Sequence, residues 1–410
     1  MKIRKKYLLY VLALLSAATG AVVVSIDGII SSLYVNDPWE LGLSEFLVGS
    51  LITVLLVALL SVPIKGKSLG SAIDPSFSGL RFVKKKEIGY HVLAGIGNAF
   101  TTIGYFLVIS LSGGESTTVL SFTYVMILYM LVIESISEKN APTIAEVQSS
   151  LIVTFGAIMA SMSFTEGINV GLLAIVFLLL NPTWVIFSIC QRKLKLMKID
   201  DKPNDAINIR LWNVIFTTIF ISILVFFVKP VCFFNAMQTS VDHFWIIALS
   251  MGTTFFSYVL YIRALGMGKA SVVQSLNATS LLFAIPITIY LSIAGLITAA
   301  LYEGPAQLII KIIGLSLVVL GVLSFALSEV KAYVFINMEP GYPIKETLDK
   351  IWDIKGVESV SVISGKHSFL ARVRTRTLGK GYENILRKLE AVPGIESLKW
   401  ASVLREWDNI

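Results

Sequence analysis

Amide side chains and a proline inside long apolar segments are the residues of this sequence best suited to recognise a ligand. Segment 169–190 contains Asn181 and Pro182, and Trp184 follows them. A proline within a helix lacks an N–H and clashes with the carbonyl four residues earlier, here that of Leu178. The freed carbonyl and the Asn181 amide could line a cavity with Trp184 as its apolar wall. The alternative is a packing kink that neighbouring helices close.

Three further amides lie in apolar segments and leave the same two alternatives open. Gln274 and Asn277 precede Pro286 in one segment, and Asn98 lies in another. A polar group in hydrocarbon is costly and needs a partner. Each of these amides could therefore contact a substrate, or it could hydrogen-bond between helices as structural glue. Together with Asn181, Pro182 and Trp184, they form our predicted substrate-binding set.

For ionisable and aromatic residues in the same segments, a functional and a structural role are both possible. Glu134 lies near the end of its segment, where it could carry a coupling proton or pair with a basic residue and fix the helix end. Tyr105 and Tyr258 could pack between two halves of the chain or contact a substrate. Asp27 precedes Gly28, which indicates a turn at the outer membrane interface.

The sequence carries no pattern typical of an enzyme. Its two cysteines, Cys190 and Cys232, fall in different predicted regions, and its three histidines are scattered. We find no nucleophile–base pair, phosphate-binding loop or cluster with metal-ligand spacing. The expectation is therefore a non-enzyme with no catalytic residue, no cofactor and no metal.

Ten long apolar segments must position these side chains. The chain has 410 residues, of which 55% are hydrophobic and 15% charged, below the roughly 25% charged content of soluble domains. Each segment is near the ~20 residues that cross a bilayer as a helix, which predicts a polytopic membrane protein. The predicted spans are 7–31, 44–64, 89–111, 116–136, 145–164, 169–190, 209–229, 243–264, 270–294 and 306–328.

The distribution of basic residues predicts the orientation. If the N-terminus is cytoplasmic, 19 of the 21 Lys and Arg residues before residue 330 lie in or beside cytoplasmic segments, and Lys229 is the one in an outer loop. Because cytoplasmic loops carry an excess of Lys and Arg, we expect both termini inside the cell and the protein in the plasma membrane. The net charge of +7 is thus assigned to membrane orientation and not to nucleic-acid binding.

The membrane part also predicts an internal repeat. The stretch "GYFLVISLSGGESTTVLSF", from Gly104, shares spaced residues with "SYVLYIRALGMGKASVVQS", from Ser257, at an offset of 153 residues. Halves of five spans each would be inverted relative to one another, an arrangement that suits alternating access around a midplane site. The predicted halves are 1–165 and 166–330. Chance likeness between two apolar segments is the alternative.

Residues 1 to about 330 resemble the drug/metabolite transporter superfamily, EamA type. The resemblance is carried by "YFLVISLSGGEST" and "YVLYIRALGMGKAS", by Glu134 in "LVIESISE", and by "NPTWVIFSICQRK". Departures are Ile287, where a second glutamate would recur, and "LSEFLVG", where the family has an arginine. The resemblance implies a solute carrier or exporter and names no ligand.

Residues 331–410 alternate in a different pattern, that of a small water-soluble domain. Strand-like stretches "YVFINME", "SVSVIS", "FLARVRTR" and "IESLKWASVLRE" are separated by two amphipathic helices in the order βαββαβ. This is the ferredoxin-like plan, in which two helices cover one sheet face. The other face is left bare, which predicts pairing with a second copy.

The tail resembles the effector-binding domain of leucine-responsive (Lrp/AsnC) regulators, called RAM. The motifs are "INMEPG", "IKGVESVSVISGKHSFL" and "VPGIESLKWASVLRE". The resemblance implies a homodimer through 331–410 and a small-molecule effector held near Gly365, His367 and Ser368. The family loop often carries tyrosine and aspartate after its glycine, whereas "GKHS" stands here. No helix-turn-helix precedes the domain, so no nucleic-acid partner is expected.

Together these patterns predict an integral-membrane secondary transporter with a cytosolic regulatory or dimerisation domain. The substrate would be a small metabolite such as an amino acid or a related compound, and the other partner would be membrane lipid. Two alternatives stay open from the sequence. One is a membrane-tethered metabolite sensor that does not transport. The other is a transporter whose tail serves only to oligomerise.

Overall fold

The computed structural model describes most of the chain, in segments separated by short gaps. The described residues are 5–64, 66–111, 123–138, 142, 144–161, 171, 174–297, 305–327, 329–354, 356–364, 367–376 and 381–402.

The described residues before 328 form a helical bundle with two short hairpins in its loops. Its helices are α1 Lys5–Leu33, α2 Pro38–Leu60, α3 Lys85–Leu111, α4 Met126–Glu138, α5 Ile144–Ser161, α6 Asn181–Leu196, α7 Ala206–Val228, α8 Pro230–Asp242, α9 Phe244–Leu265, α10 Ala270–Asn277, α11 Ser280–Ile293 and α12 Pro305–Leu327. A π-helical segment, Ile175–Leu180, runs directly into α6.

Seven helical stretches among the described residues are long and apolar enough to cross a membrane, so this is a multi-pass membrane protein. They begin with Leu8–Leu33 and end with Ala270–Ile293, which joins α10 and α11. Three shorter apolar helices lie in the other predicted spans, at Met126–Ile136, Glu146–Ala160 and Ile309–Ser324. The predicted spans 116–136, 145–164 and 306–328 extend into undescribed residues, so the count of ten stays a prediction.

The described helices depart from the predicted segments at three places. Helix α1 continues through Asp27 to Leu33, so the turn expected at Asp27 is wrong. The segment after Pro230 was predicted as an outer loop and instead forms α8, which contacts α2 and α7. Segment 270–294 is interrupted at Ala278–Thr279, while Pro286 lies inside the continuous helix α11.

Small residues allow some helices to approach closely. Helix α5 packs along α12. A Cβ added to Gly156 would lie 2.7 Å from the Gly314 carbonyl oxygen, and one added to Gly314 would lie 2.3 Å from the Ala160 nitrogen. Both distances are too short for a side chain, so glycine is required at this crossing. Such contacts are typical of helices that pack in a membrane, where small residues bring two backbones together.

Two short hairpins lie at the same end of the bundle, which we call the loop end. Strands β1 Pro63–Ile64 and β2 Lys67–Ser68 pair in the loop after α2, and a 3-10 turn at Leu69–Ala72 follows. Strands β3 Lys198–Ile199 and β4 Lys202–Pro203 pair in the loop after α6.

The tail is a separate four-stranded antiparallel sheet with two helices. Its elements are β5 Glu329–Met338, α13 Ile344–Trp352, β6 Val357–Val362, β7 Phe369–Arg376, α14 Gly381–Glu390 and β8 Ile395–Ser402, and its strand order is β6-β7-β5-β8. This order is consistent with a ferredoxin-like fold, as the sequence pattern predicted.

One face of the tail sheet packs under the helices and forms the core of the domain. Val334, Ile336, Phe369 and Ala371 point to this face and contact side chains of both helices, including Ile351. The core lies entirely within the tail, so the domain has the internal packing that independent folding needs.

Candidate functional site

A cavity lies in the middle of the helical bundle. Its walls come from α1, α2, α3, α6, α7, α9, α10 and α11, and from Tyr124 and Met126 at the start of α4. It has an empty volume of about 1170 Å³, part of which is open to solvent. Such a space, with apolar walls and a few polar groups, is typical of a small-molecule site.

Four of the predicted substrate-binding residues line this cavity: Asn98, Trp184, Gln274 and Asn277. The indole Nε1 of Trp184, Oε1 of Gln274 and Oδ1 of Asn277 are buried and have no hydrogen-bond partner among the described residues. Asn98 differs, because its Nδ2 donates to the Thr217 hydroxyl at 3.1 Å. Three residues of the cavity lining thus each carry a polar atom that could form a hydrogen bond with a ligand.

Gln274 and Asn277 owe their position to the interrupted helix. Asn277 is the last residue of α10, and a turn at Ala278–Thr279 separates it from α11. The turn keeps its backbone hydrogen bonds, with the Ala278 N–H on the Gln274 carbonyl and the Thr279 N–H on the Leu276 carbonyl. The break precedes Pro286, which lies inside α11 and does not cause it.

Asn181 and Pro182 are the predicted residues that the structure does not bring to the cavity wall. The N–H of Asn181 bonds to the Val176 carbonyl, five residues back, as in a π-helical turn. Pro182 follows this wider turn directly, in the first turn of α6. The Thr183 hydroxyl donates to the Leu179 carbonyl at 2.7 Å and satisfies part of the backbone there. The proline is therefore absorbed locally, and Asn181 stays fully buried.

Tyr105 and Tyr258, the pair found through the repeat, both line the cavity. The Tyr105 hydroxyl is buried without a hydrogen-bond partner in the described part of the chain. Tyr258 packs edge-on against Phe187 and Tyr261. Both tyrosines could therefore serve substrate contact and packing together.

Two buried carboxyl groups form an acidic group at one part of the wall. Asp27 on α1 and Glu45 on α2 are each 5% exposed, and their carboxyls interact with each other. Asp27 accepts a hydrogen bond from the Ser250 hydroxyl at 2.7 Å. Glu45 Oε1 has no partner, and no basic side chain of the described residues lies within 4.0 Å of either carboxyl.

A buried guanidinium forms a basic group at another part of the wall. Arg210, near the start of α7, is 1% exposed, and its Cζ lies 4.3 Å from the centre of the Tyr258 ring. Its Nη1 contacts Asn213 Oδ1 at 3.5 Å, and its Nε has no partner. No carboxylate in the described residues lies within 4.0 Å of it. Burial of an arginine without a counter-ion is costly and marks a functional position.

Sequence reasoning missed the roles of Asp27, Glu45 and Arg210, although each gave a signal. Glu45 stands in "LSEFLVG", just inside a predicted span, and Arg210 is the second residue of another. Both are charges inside apolar segments, which is the pattern that singles out functional residues. From the sequence, the stretch around Glu45 is instead a departure from the family pattern, and Arg210 is counted among the basic residues on the cytoplasmic side.

Glu134 lies outside the cavity and caps α10. Its carboxylate accepts the backbone N–H of Ala270 at 2.6 Å and of Ser271 at 3.0 Å, and the Ser271 hydroxyl at 2.7 Å. Its Oε1 lies 3.2 Å from Arg192 Nη1. Of the two alternatives for Glu134, this geometry favours the structural one, since every contact fixes a helix end.

Two further ion pairs lie at the loop end. Lys195 Nζ lies 2.7 Å from Asp74 Oδ2, and Lys269 Nζ lies 2.8 Å from Glu146. Burial alone would raise the pKa of Asp74, but the Lys195 ammonium and the backbone N–H of Ala206 bring that pKa below its usual range. Each of these pairs joins segments distant in sequence.

A pair that joins the long loop after α2 to the first turn of α3 also fixes the loop end. Arg81 contacts both oxygens of Glu87, at 2.7 and 2.8 Å, and donates to Asn204 Oδ1 at 2.6 Å. Burial would lower the pKa of Arg81, but Glu87 and Asp205 raise it overall.

In the tail, two of the three predicted effector residues are described. His367 Nδ1 lies 2.7 Å from Asn337 Oδ1, and its ring lies 5.1 Å from that of Phe335. The Ser368 hydroxyl accepts the Met338 N–H at 3.2 Å. Both residues therefore anchor the β6–β7 connection to β5, while Gly365 lies outside the described residues.

Comparison with known proteins identifies the tail. Residues 331–409 match the family model of the Lrp/AsnC ligand binding domain, as the sequence motifs predicted. No functionally curated protein matches the chain. A solved structure described only as "Crystal structure of protein" is similar at a TM-score of 0.48 and 15% identity, over 79% of this chain and 98% of that one. A likeness at this level supports no argument.

Proposed function

We propose that this protein is a secondary transporter of a small metabolite whose cytosolic Lrp/AsnC domain regulates or dimerises it. The observation that carries the proposal is the cavity in the centre of a membrane bundle, lined by buried charged groups that have no counter-ion in the described part of the chain. A membrane protein has reason to keep such groups when a polar solute binds there. The role proposed for the cavity is binding and translocation, with no covalent chemistry and no cofactor.

The topology that goes with this proposal is the one the sequence predicts. It consists of ten spans in two inverted halves, 1–165 and 166–330, of the EamA type, with both termini in the cytoplasm. The interrupted helix at Ala278–Thr279 supports it, since discontinuous helices near the midplane are typical of inverted-repeat transporters.

Flux through liposomes tests the transport proposal. A thermal-shift screen of metabolites on the full-length protein first identifies a ligand, and a parallel screen on residues 331–410 separates tail ligands from cavity ligands. The reconstituted protein should then show saturable flux or exchange of the cavity ligand. Trp184→Ala should weaken binding, while Asn181→Ala, one turn away and outside the cavity lining, is the matched control. Binding without any flux would favour the membrane-tethered sensor.

For the tail we propose a dimer formed through its bare sheet face. The helices cover the face that carries Val334 and Ile336, and the opposite face presents Tyr333, Phe335 and Leu370 in a half-buried state. Phe335 and Leu370 are cross-strand partners, so they share that face. In a two-fold contact each residue faces its own copy or a symmetric neighbour, and an apolar patch of this kind suits such pairing.

Light scattering on residues 331–410 tests the dimer. The wild-type tail should be a dimer at micromolar concentration, and Leu370→Asp should yield a monomer because it places two like charges in one interface. Lys388→Gln, on the exposed side of α14, changes the net charge equally and should leave the dimer intact. A monomeric wild-type tail would leave a sensor acting alone and would exclude an effector site between two copies.

A further inference from the structure

The cavity's two charged groups have opposite sign, and neither has a counter-ion among the residues that the structure describes. Arg210 has no carboxylate within 4.0 Å, and Asp27 and Glu45 have no basic side chain within 4.0 Å, among the residues that the structure describes. In an interior of low dielectric, an uncompensated charge is far more costly than a paired one. A ligand that supplies both missing charges would therefore bind with a large electrostatic gain.

The two groups belong to one site. Both line the same cavity, and so do Tyr105 and Tyr258, the latter with its ring centre 4.3 Å from Arg210 Cζ. Because the acidic and the basic group face one continuous space, one molecule could contact both.

We infer that the solute is a small zwitterion, an amino acid in the broad sense, whose carboxylate pairs with Arg210 and whose ammonium lies between Asp27 and Glu45. This inference names the substrate class of the proposed transporter. It rests on the proposed function only for the claim that the bound solute is transported, because the inference itself concerns binding. Arginine suits the carboxylate because its planar fork can donate two parallel hydrogen bonds. The paired carboxyls suit an ammonium, which offers three donors and full positive charge.

The rest of the wall indicates an apolar body between or beside the charges. Phe46, Phe106 and Met251 line the cavity together with Trp184. Three buried polar atoms, on Trp184, Gln274 and Asn277, remain for secondary contacts. We therefore choose L-leucine and L-phenylalanine as α-amino acid probes, and 5-aminopentanoate as a probe in which the two charges lie further apart.

Binding of charge-deleted analogues to the full-length protein in lipid nanodiscs tests the inference. For each amino acid, the amine without a carboxylate (3-methylbutylamine, phenethylamine) and the acid without an ammonium (4-methylpentanoate, 3-phenylpropanoate) are compared. At least one zwitterion should bind at least about tenfold more tightly than either analogue, which is the ratio expected for loss of one buried ion pair. Failure of all three zwitterions to bind, or equal binding of an amine or acid alone, would overturn the inference.

Variants assign each charge to its group. Arg210→Gln should weaken zwitterion binding at least about tenfold and leave amine binding unchanged, because only the carboxylate loses its partner. Glu45→Gln should weaken binding of the zwitterion and of the amine, and it should leave binding of the acid unchanged. Two matched controls lie outside the cavity lining: Arg263→Gln on α9, and Glu40→Gln in the first turn of α2, where the Glu40 carboxylate accepts from the Thr239 hydroxyl. Arg210→Lys, which keeps the charge, covers the case in which Arg210→Gln fails to fold.

The same experiment separates this inference from the proposed function. A zwitterion that binds but shows no flux in liposomes would overturn transport and leave the binding mode intact. Flux of an amine or an acid alone, with no zwitterion bound, would support transport and exclude the two-charge site.

Discussion

The charged residues of the loop end and those of the cavity meet the cost of burial in opposite ways. At the loop end, Asp74 pairs with Lys195 at 2.7 Å, and Glu134 with Arg192 at 3.2 Å, and backbone N–H groups complete the contacts of both carboxylates. In the cavity, Arg210 has a weak contact to an amide and an aromatic ring, and no counter-ion among the described residues.

The difference teaches how to separate structural from functional charges in a membrane bundle. A charge that is fully partnered fixes the segments that it joins, and its removal damages the fold. A charge that is buried but unpartnered adds nothing to the fold that a neutral side chain could not add. Its presence is explained by a ligand that completes it.

The largest effect on stability should follow from Asp74→Ala. This change leaves the Lys195 ammonium, whose side chain is 10% exposed, without its carboxylate, and removal of one partner of a buried pair costs about 3–5 kcal/mol. Thermal unfolding of the purified protein in detergent measures the loss. Lys84→Ala, which breaks the exposed pair with Asp200, is the control and should change stability by less than about 1 kcal/mol. Equal effects of the two changes would break the comparison.

A smaller loss should follow from Glu134→Gln. The amide keeps one acceptor for the N–H groups that begin α10 but loses the charge that pairs with Arg192. Loss of a helix cap of this kind costs about 0.5–2 kcal/mol, visible as a lower melting temperature. If Glu134 carried a coupling proton instead, the variant would keep its stability and would change the pH dependence of flux.

Acidification should weaken the loop end through Asp74. Because the pKa of Asp74 is lowered in the folded state, the unfolded state binds the proton more readily. Its stabilising contribution is therefore complete above the unfolded pKa, near about 3.9, and is lost as the pH falls through the lower folded value. Melting temperatures across this range should fall more steeply in the wild type than in Asp74→Asn. Parallel curves would show that the pair contributes no pH-dependent stability.

The smallest effect on stability is expected for Arg210→Leu. Replacement of a buried ionic group by a well-packed apolar one is often neutral or stabilising, and Arg210 lacks a counter-ion whose charge would be left behind. We expect an unchanged or higher melting temperature in the absence of ligand. A loss comparable to that of Asp74→Ala would place Arg210 with the structural charges and remove the distinction between the two regions.

Much of the fold and part of the site could be predicted from the sequence. Apolar runs of bilayer length determine helices with little tertiary context, and the alternation in the tail predicts its strands and helices. Amides in apolar runs also predicted Asn98, Gln274 and Asn277 as cavity residues. Trp184 was predicted because it follows Asn181 and Pro182. Each of these predictions depends on local sequence and on the general cost of a polar group in hydrocarbon.

The rest of the site depends on contacts between distant segments. Whether a charge is paired cannot be read from its own segment: Asp74 meets Lys195 across 121 residues, whereas Arg210 meets no carboxylate among the described residues. Asp27 was assigned to a turn because glycine follows it, yet the apolar residues beyond carry α1 on to Leu33. At this position the continuous apolar span determines the structure, and the local preference of Asp-Gly for a turn does not.

The π-helical turn at Ile175–Leu180 changes the angular phase of the span that contains it. Each such turn holds about one residue more than an α-helical turn, and one residue corresponds to about 100° of rotation about the axis. The residues of the π-helical turn and those after Leu180 therefore do not continue a single helical wheel. A wheel drawn through Ile175–Leu196 as one α-helix would assign the cavity-facing and lipid-facing sides incorrectly on one part, so the wheel must be restarted at Asn181. Restarted there, it can be anchored on Trp184, whose side chain lines the cavity.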